Sequence, residues 1–176
     1  MNKGYFFVAI MLLIFFSSCS TIKPIGFVNS EPKLDPVQFF GGKTHSSGVM
    51  ESHGGKPVMP ITTATTGIYK DGVLSIEQDL YPGKGKKNHR SWKLKQIDEH
   101  HVEATANDIA GTARGMLYGN YFTWTFTLKL DKGLVRRVRM NQQLYLMPNG
   151  QTLIIRSIIR KFGIIVQQIT EEFKKD

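Results

Sequence analysis

The chain of 176 residues has one cysteine, Cys19, which excludes a disulfide framework and any structural zinc site built on thiolates. Its longest apolar run, Tyr5 to Phe16, has 12 residues, short of the ~20 that a membrane-spanning helix needs. No Gly-x-Ser-x-Gly elbow announces a serine nucleophile, and the glycines follow no phosphate-loop spacing. Acidic residues are few, 14 against 23 Lys and Arg, so the formal net charge is +9. What remains, 41% hydrophobic with 17 Gly and 7 Pro, is ordinary globular composition for one domain; it excludes collagen-like, coiled-coil and wholly disordered chains.

The amino terminus has the parts of an export signal over residues 1–18: Lys3, the apolar run, then the small pair Ser17-Ser18. Ser20 to Pro24 gives no stop-transfer continuation. Phe16-Ser17-Ser18-Cys19 resembles the lipobox of bacterial lipoproteins, in which the cysteine receives a diacylglyceryl thioether and becomes the acylated first residue. That resemblance implies a covalent lipid on Cys19 as the only prosthetic group. Ser20 in place of Asp implies the outer membrane, with the domain facing the periplasm. One acyl chain holds a membrane marginally, at about 0.8 kcal/mol per buried methylene, whereas two or more hold it stably. Loss of the leader removes one lysine and no acid, leaving +8. In an envelope the counter-surface for such charge is anionic lipid rather than nucleic acid.

Residues 19–33 carry Pro24, Gly26, Asn29, Ser30 and Pro32 without periodicity and read as a lipidated tether, with a single domain over 34–176. Asp35-Pro36 is an N-cap followed by proline at the first helical position; Val37, Phe39 and Phe40 then give a short apolar turn that Gly41-Gly42 stops. It reads as a plug or lid. From Thr44 onward short β-rich runs alternate with turn signals at 53–56, 71–72, 82–88, 98–99, 107–111, 119–120, 131–133 and 148–150. Phe122, Trp124, Phe126, Leu128 and Leu130 alternate with Thr123, Thr125, Thr127 and Lys129, which marks a strand with one dry face. Eight to ten strands joined as sequence neighbours predict an all-β, up-and-down antiparallel barrel, because closure removes the unpaired edges.

The order of Asp35-Pro36, Phe39-Phe40 and Gly42, Asp71-Gly72 with Leu74, Arg90 with Trp92, then Ala106-Asn107-Asp108 resembles a bacterial lipoprotein family, the domain of unknown function 3833. Gly111 to Gly115, Gly119-Asn120, Trp124, Tyr145-Leu146, Arg156 and Lys161-Phe162-Gly163 continue the pattern from Leu34 to Phe173. The chain departs from it at Asn141-Gln142-Gln143, where the family has acidic residues and a tryptophan. The resemblance implies an envelope lipoprotein with a lipocalin-like barrel and implies no reaction.

Arginines inside strands are the candidate site residues, since a charge on an apolar face must be paired or serve a ligand. Arg90 shares a face with Trp92 and Leu94, Arg114 with Met116 and Tyr118, Arg136 with Leu134, Val138 and Met140, and Arg156 with Ile154 and Ile158. With Trp124 they suggest an aromatic-walled cavity for an amphiphile with an anionic head, which guanidinium forks bind. Alternatively they lie on the outer face or pair with Glu77, Asp79, Glu103 or Asp108, of which Glu77 and Asp108 are the leading carboxylate partners. His45, His53, His89, His100 and His101 fall in no metal or catalytic motif. The expected function is a non-enzymatic lipoprotein that binds or carries a hydrophobic or amphiphilic ligand. The rival is a structural or assembly lipoprotein that binds a protein through its outer surface. A cavity of ≈ 300 Å³ or more favours the first, a filled barrel the second.

Overall fold

A period of two in the side chains, broken by turns that accept positive φ, dictates a meander of strands, and in the computed structural model that meander closes. The structure describes residues 22–130 and 136–176; the leader, Cys19 and the expected turn at 131–133 lie outside the described residues. The strands are β1 (Gly42–Ser52), β2 (Pro57–Lys70), β3 (Val73–Pro82), β4 (Asn88–Gln96) and β5 (His101–Ala106). They continue with β6 (Ile109–Tyr118), β7 (Tyr121–Lys129), β8 (Arg137–Leu146), β9 (Thr152–Lys161) and β10 (Ile164–Lys175). Each pairs antiparallel with its sequence neighbours, and β10 returns to β1 with Ser46 opposite Phe173, giving a closed ten-stranded barrel.

The dry faces converge inside. Leu74 and Ile76 of β3, Trp92 and Leu94 of β4, Phe122, Trp124 and Phe126 of β7, and Leu153 and Ile155 of β9 belong to one buried cluster. Gly115 faces Phe122 across β6 and β7; a Cβ there would lie 2.5 Å from the phenyl ring, so the missing side chain is the space the aromatic fills. At the turns, Asp71 and Gly72 have φ of 51° and 78°, the paired positive values of a type I′ hairpin. Phe162 and Gly163 do the same with 50° and 82°, a turn the sequence does not announce because phenylalanine stands where Asn or Asp is usual.

An up-and-down barrel puts alternate hairpins at opposite ends. One end is closed by α1 (Pro36–Phe40). Asp35 caps it, accepting the Val37 amide at 2.7 Å and the Gln38 amide at 3.2 Å. Phe39 and Phe40 are buried, and Phe40 meets Phe173 edge-on at 6.2 Å. The helix can sit so low because residue 67 is glycine: a Cβ there would be 1.9 Å from the Phe40 carbonyl oxygen. Lys175 Nζ donates to the Gly41 carbonyl at 3.2 Å, placing a cation on the helix C-terminus. The expected plug is therefore in place. The segment read as a tether holds to the wall from Pro24 on: a 3-10 turn spans Pro24–Phe27, and Phe27 stacks on Tyr121 at 4.5 Å. Among the described residues no helix is long and apolar enough to cross a membrane.

Candidate functional site

The sequence candidates separate into two places. Arg90, Trp92 and Trp124 point into the barrel. The two indole rings stack at 4.7 Å, and the Arg90 guanidinium carbon lies 5.5 Å from the Trp92 ring centre and 5.9 Å from that of Phe126. Asp108, in the β5–β6 turn, takes Arg90 Nε at 2.8 and 2.9 Å and Nη2 at 2.8 Å, a fork-on-carboxylate pair. The indole of Trp92 donates to Gln78 at 2.9 Å; that of Trp124 donates to Gln142 at 2.7 Å, and Gln142 donates on to Ser157 at 2.8 Å. A belt of polar side chains thus crosses the apolar interior with its donors answered.

Glu171 belongs to this belt and was not among the sequence candidates. It is 6% exposed and accepts the hydroxyls of Ser46 at 2.7 Å and Thr63 at 2.9 Å. Burial pushes its carboxyl above the usual glutamate range, opposed by the two hydroxyls and the charge of Arg90. Its signal was readable, since Glu171 shares strand parity with Ile169 and Phe173. The space left among these residues is a cavity of about 60 Å³, lined in part by Phe40, Gln78, Trp92, Trp124 and Glu171. That is room for a few waters, not for an amphiphile, whose pockets run to roughly 300–1,000 Å³.

Arg114 and Arg156 do not reach the interior. They sit on β6 and β9 with opposite parity to the buried Ala113 and Ile155, so both point outward; the apolar neighbours Met116 and Ile158 that suggested a dry face line the outside as well. Arg114 Nε meets Glu103 at 3.1 Å, an exposed pair, and Arg156 Nη2 donates to Gln168 at 3.3 Å. Glu77 is likewise outside, on β3, engaged with His89 Nε2 at 2.9 Å and with the Ser91 hydroxyl rather than with any arginine. Arg136 precedes β8 and is exposed.

The outer faces of β6 to β9 form a groove of about 1200 Å³, whose lining also takes in Ile22 to Ile25 and Lys161 to Gly163. Seven cations line it, Lys23, Arg114, Arg137, Arg139, Arg156, Arg160 and Lys161, and no carboxylate is among the described lining residues. Asn141 and Gln143 on β8 and Thr123, Thr125 and Thr127 on β7 supply neutral donors, while Met116, Tyr118 and Ile158 supply apolar surface. Arg137, Arg139 and Arg160 were missed in the sequence, though each alternates with buried Val138, Met140 or Ile159 and so had to face out.

A third constellation has a triad's outline without its chemistry. On the outer wall of β3 and β4, Ser91 Oγ is 3.2 Å from His89 Nε2, and His89 Nδ1 is 2.7 Å from Asp79. Hydrogen bonds from Asp79 and then Glu77 hold His89 toward its protonated form, and Glu77 takes the Ser91 hydroxyl itself. A histidine drawn toward its protonated form is the poorer base for a serine proton. His45 pairs with Asp176 at 2.5 Å, His101 with Asp98 at 2.8 Å, and His100 stacks on Tyr118 at 4.1 Å. Among the described residues no group of three His, Cys, Asp or Glu is placed to hold a metal.

The family model "Protein of unknown function (DUF3833)" matches residues 13–175. Among curated proteins none matches in sequence. Among solved structures, the S-type phycobiliprotein lyase CPES of Guillardia theta is similar, with a TM-score of 0.57 and 9% identity, over 81% of this chain and 93% of that one. The likeness is one of fold: the ten-stranded barrel is a lipocalin-like barrel.

Proposed function

The chain belongs to the DUF3833 family, and from that premise we propose that it is an envelope lipoprotein, held to the membrane through a lipid on Cys19, whose barrel binds an anionic amphiphile on its outer wall. One observation carries the reading: the groove over β6 to β9 gathers seven cations and no carboxylate among its described lining residues, while the interior offers about 60 Å³. Like charges held side by side repel one another, and a bound anion relieves that repulsion. Guanidinium groups on neighbouring strands suit the paired oxygens of a phosphate or carboxylate. Met116, Tyr118 and Ile158 give the acyl portion somewhere to lie. The amphiphile expected from the sequence is kept, and its place moves from inside the barrel to outside.

The test is titration with dihexanoyl phosphatidate, a soluble anionic lipid, beside its neutral-headed phosphatidylcholine counterpart. The wild type binds the first and not the second. Replacing Arg139 and Arg156 together by Gln weakens binding by about 1.5–3 kcal/mol for each charge-assisted bond lost. Binding unchanged in that variant overturns the groove as the site.

The filled interior also fits the assembly reading, in which the same groove takes an acidic protein segment. Competition separates the two: a poly-glutamate peptide that displaces the phosphatidate outright favours the protein partner.

A further inference from the structure

The barrel end opposite α1 gathers exposed apolar side chains and lysines on adjoining hairpins. Phe162 is 89% exposed at the tip of the β9–β10 hairpin, with φ of 50°. A bulky residue in the left-handed region is strained, and this one gains no packing in return. Lys161 lies over it, its ammonium 4.6 Å from the ring centre. Ile164 beside it is 71% exposed and Val166 44%. The neighbouring β1–β2 hairpin presents Val58 and Met59 at 53% and 36%. The two hairpins touch, since Gln168 Nε2 donates to the His53 carbonyl at 3.5 Å. The β3–β4 loop joins them through the Gly83 amide, which donates to the Pro60 carbonyl at 2.8 Å. These three loops also carry Lys56, Lys84, Lys86 and Lys161.

We propose that this end of the barrel is a membrane-docking face, with Phe162 and Ile164 dipping into an anionic bilayer while the lysines of the three adjoining loops sit at its headgroups. Protruding apolar tips ringed by flexible ammonium groups match a bilayer interface, which takes apolar side chains a few ångströms deep and adds about 1 kcal/mol for each lysine near an anionic surface. A flat protein partner would instead ask for a continuous buried patch with few lysines. The geometry of the chain's start agrees. Ile22 and Lys161 to Gly163 line the same groove, and Cys19 stands three residues before Ile22 in the sequence. Under the reading above, which puts a lipid on Cys19, anchor and tip would serve one membrane. The docked barrel would stand with α1 away from the bilayer.

The experiment uses the full chain with vesicles of equal parts phosphatidylglycerol and phosphatidylcholine carrying bromine on their acyl chains, which quench tryptophan on contact. Phe162→Trp is read against Ile68→Trp, placed on β2 beside the β2–β3 turn at the plugged end, where Ile68 is 66% exposed. Expected is loss of more than half the added emission for Phe162→Trp and none for Ile68→Trp. The loss should vanish in pure phosphatidylcholine, and vesicle affinity should fall about fivefold for each lysine changed in Lys84→Glu and Lys86→Glu. Quenching of Ile68→Trp instead, or of neither, overturns the docking face. The same measurement on Cys19→Ala isolates the face from the anchor: quenching kept there supports the docking face by itself, and quenching lost there means the tip only follows the lipid and overturns it. The Arg139 and Arg156 double variant keeps its quenching, so failure of the groove reading shows in phosphatidate titration and failure of the docking face in tip quenching.

Discussion

Arginine appears on both sides of this barrel wall, and its company differs. Inside, Arg90 is paired with the Asp108 carboxylate and lies against the faces of Trp92 and Phe126. Outside, Arg139 and Arg160 have no ion-pair partner among the described residues: the groove they line holds seven cations with no carboxylate on its described lining.

 The difference teaches that residue type alone does not assign a role. An arginine satisfied within the chain supports the fold, whereas arginines left together without counter-charge are available to a ligand.

The comparison breaks first at the core. Trp124→Ala removes a 9%-exposed indole stacked on Trp92 and strands the Gln142 oxygen that accepts its N–H, so it should cost about 3–5 kcal/mol of folding free energy. Thr125→Ala, one residue on and facing out, loses a 3.1 Å bond from Asn141 and should cost about 1 kcal/mol or less. Denaturant unfolding of the pair with equal midpoints would show that the dry face is misassigned.

Arg90→Gln comes next. It should cost about 2–3 kcal/mol, less than the 3–5 of a fully buried pair, because the Asp108 side chain is 29% exposed and water can reach the abandoned carboxylate. Thermal unfolding that left Arg90→Gln level with the wild type would remove the contrast with the groove arginines.

The smallest effect depends on pH. Burial raises the Glu171 carboxyl above its ordinary value of 4.5, so the folded chain holds that proton more tightly than the unfolded chain does. The stability this contributes is full below about pH 4.5 and is lost as pH rises through the raised folded value. Glu171→Gln keeps an oxygen for the Ser46 and Thr63 hydroxyls and does not ionise. It should therefore lose stability less than the wild type does between acid and neutral pH. Parallel stability curves for the two proteins would show that Glu171 ionises freely.

The barrel was legible in the sequence because period-two alternation and Asp-Gly or Gly-Asn turns each carry a local physical cause, as at Phe122 to Leu130 and at Asp71-Gly72. The helix at Asp35-Pro36 was legible for the same reason, a cap and a proline that act within one turn. The site was less so. Parity places side chains on faces but does not say which face of a closed barrel is inside when both carry apolar residues: Arg156 lies between Ile154 and Ile158, and only the buried Leu153, Ile155 and Ser157 of the same strand decide that it faces out. The groove was hidden further, since its cations come from three strands, β6, β8 and β9, and the amino-terminal segment, brought together by closure alone. The β9–β10 tip escaped notice because Phe162 occupies a position whose backbone favours Asn or Gly.

The central claim, that the anion site is on the wall and not within it, is tested most directly by measuring dihexanoyl phosphatidate binding and thermal unfolding on Arg156→Gln and Arg90→Gln side by side. Expected is a crossed result: Arg156→Gln loses affinity with its unfolding transition unmoved, and Arg90→Gln loses stability with its affinity kept. Affinity lost in Arg90→Gln while Arg156→Gln still binds as the wild type does would put the ligand inside the barrel and contradict the account.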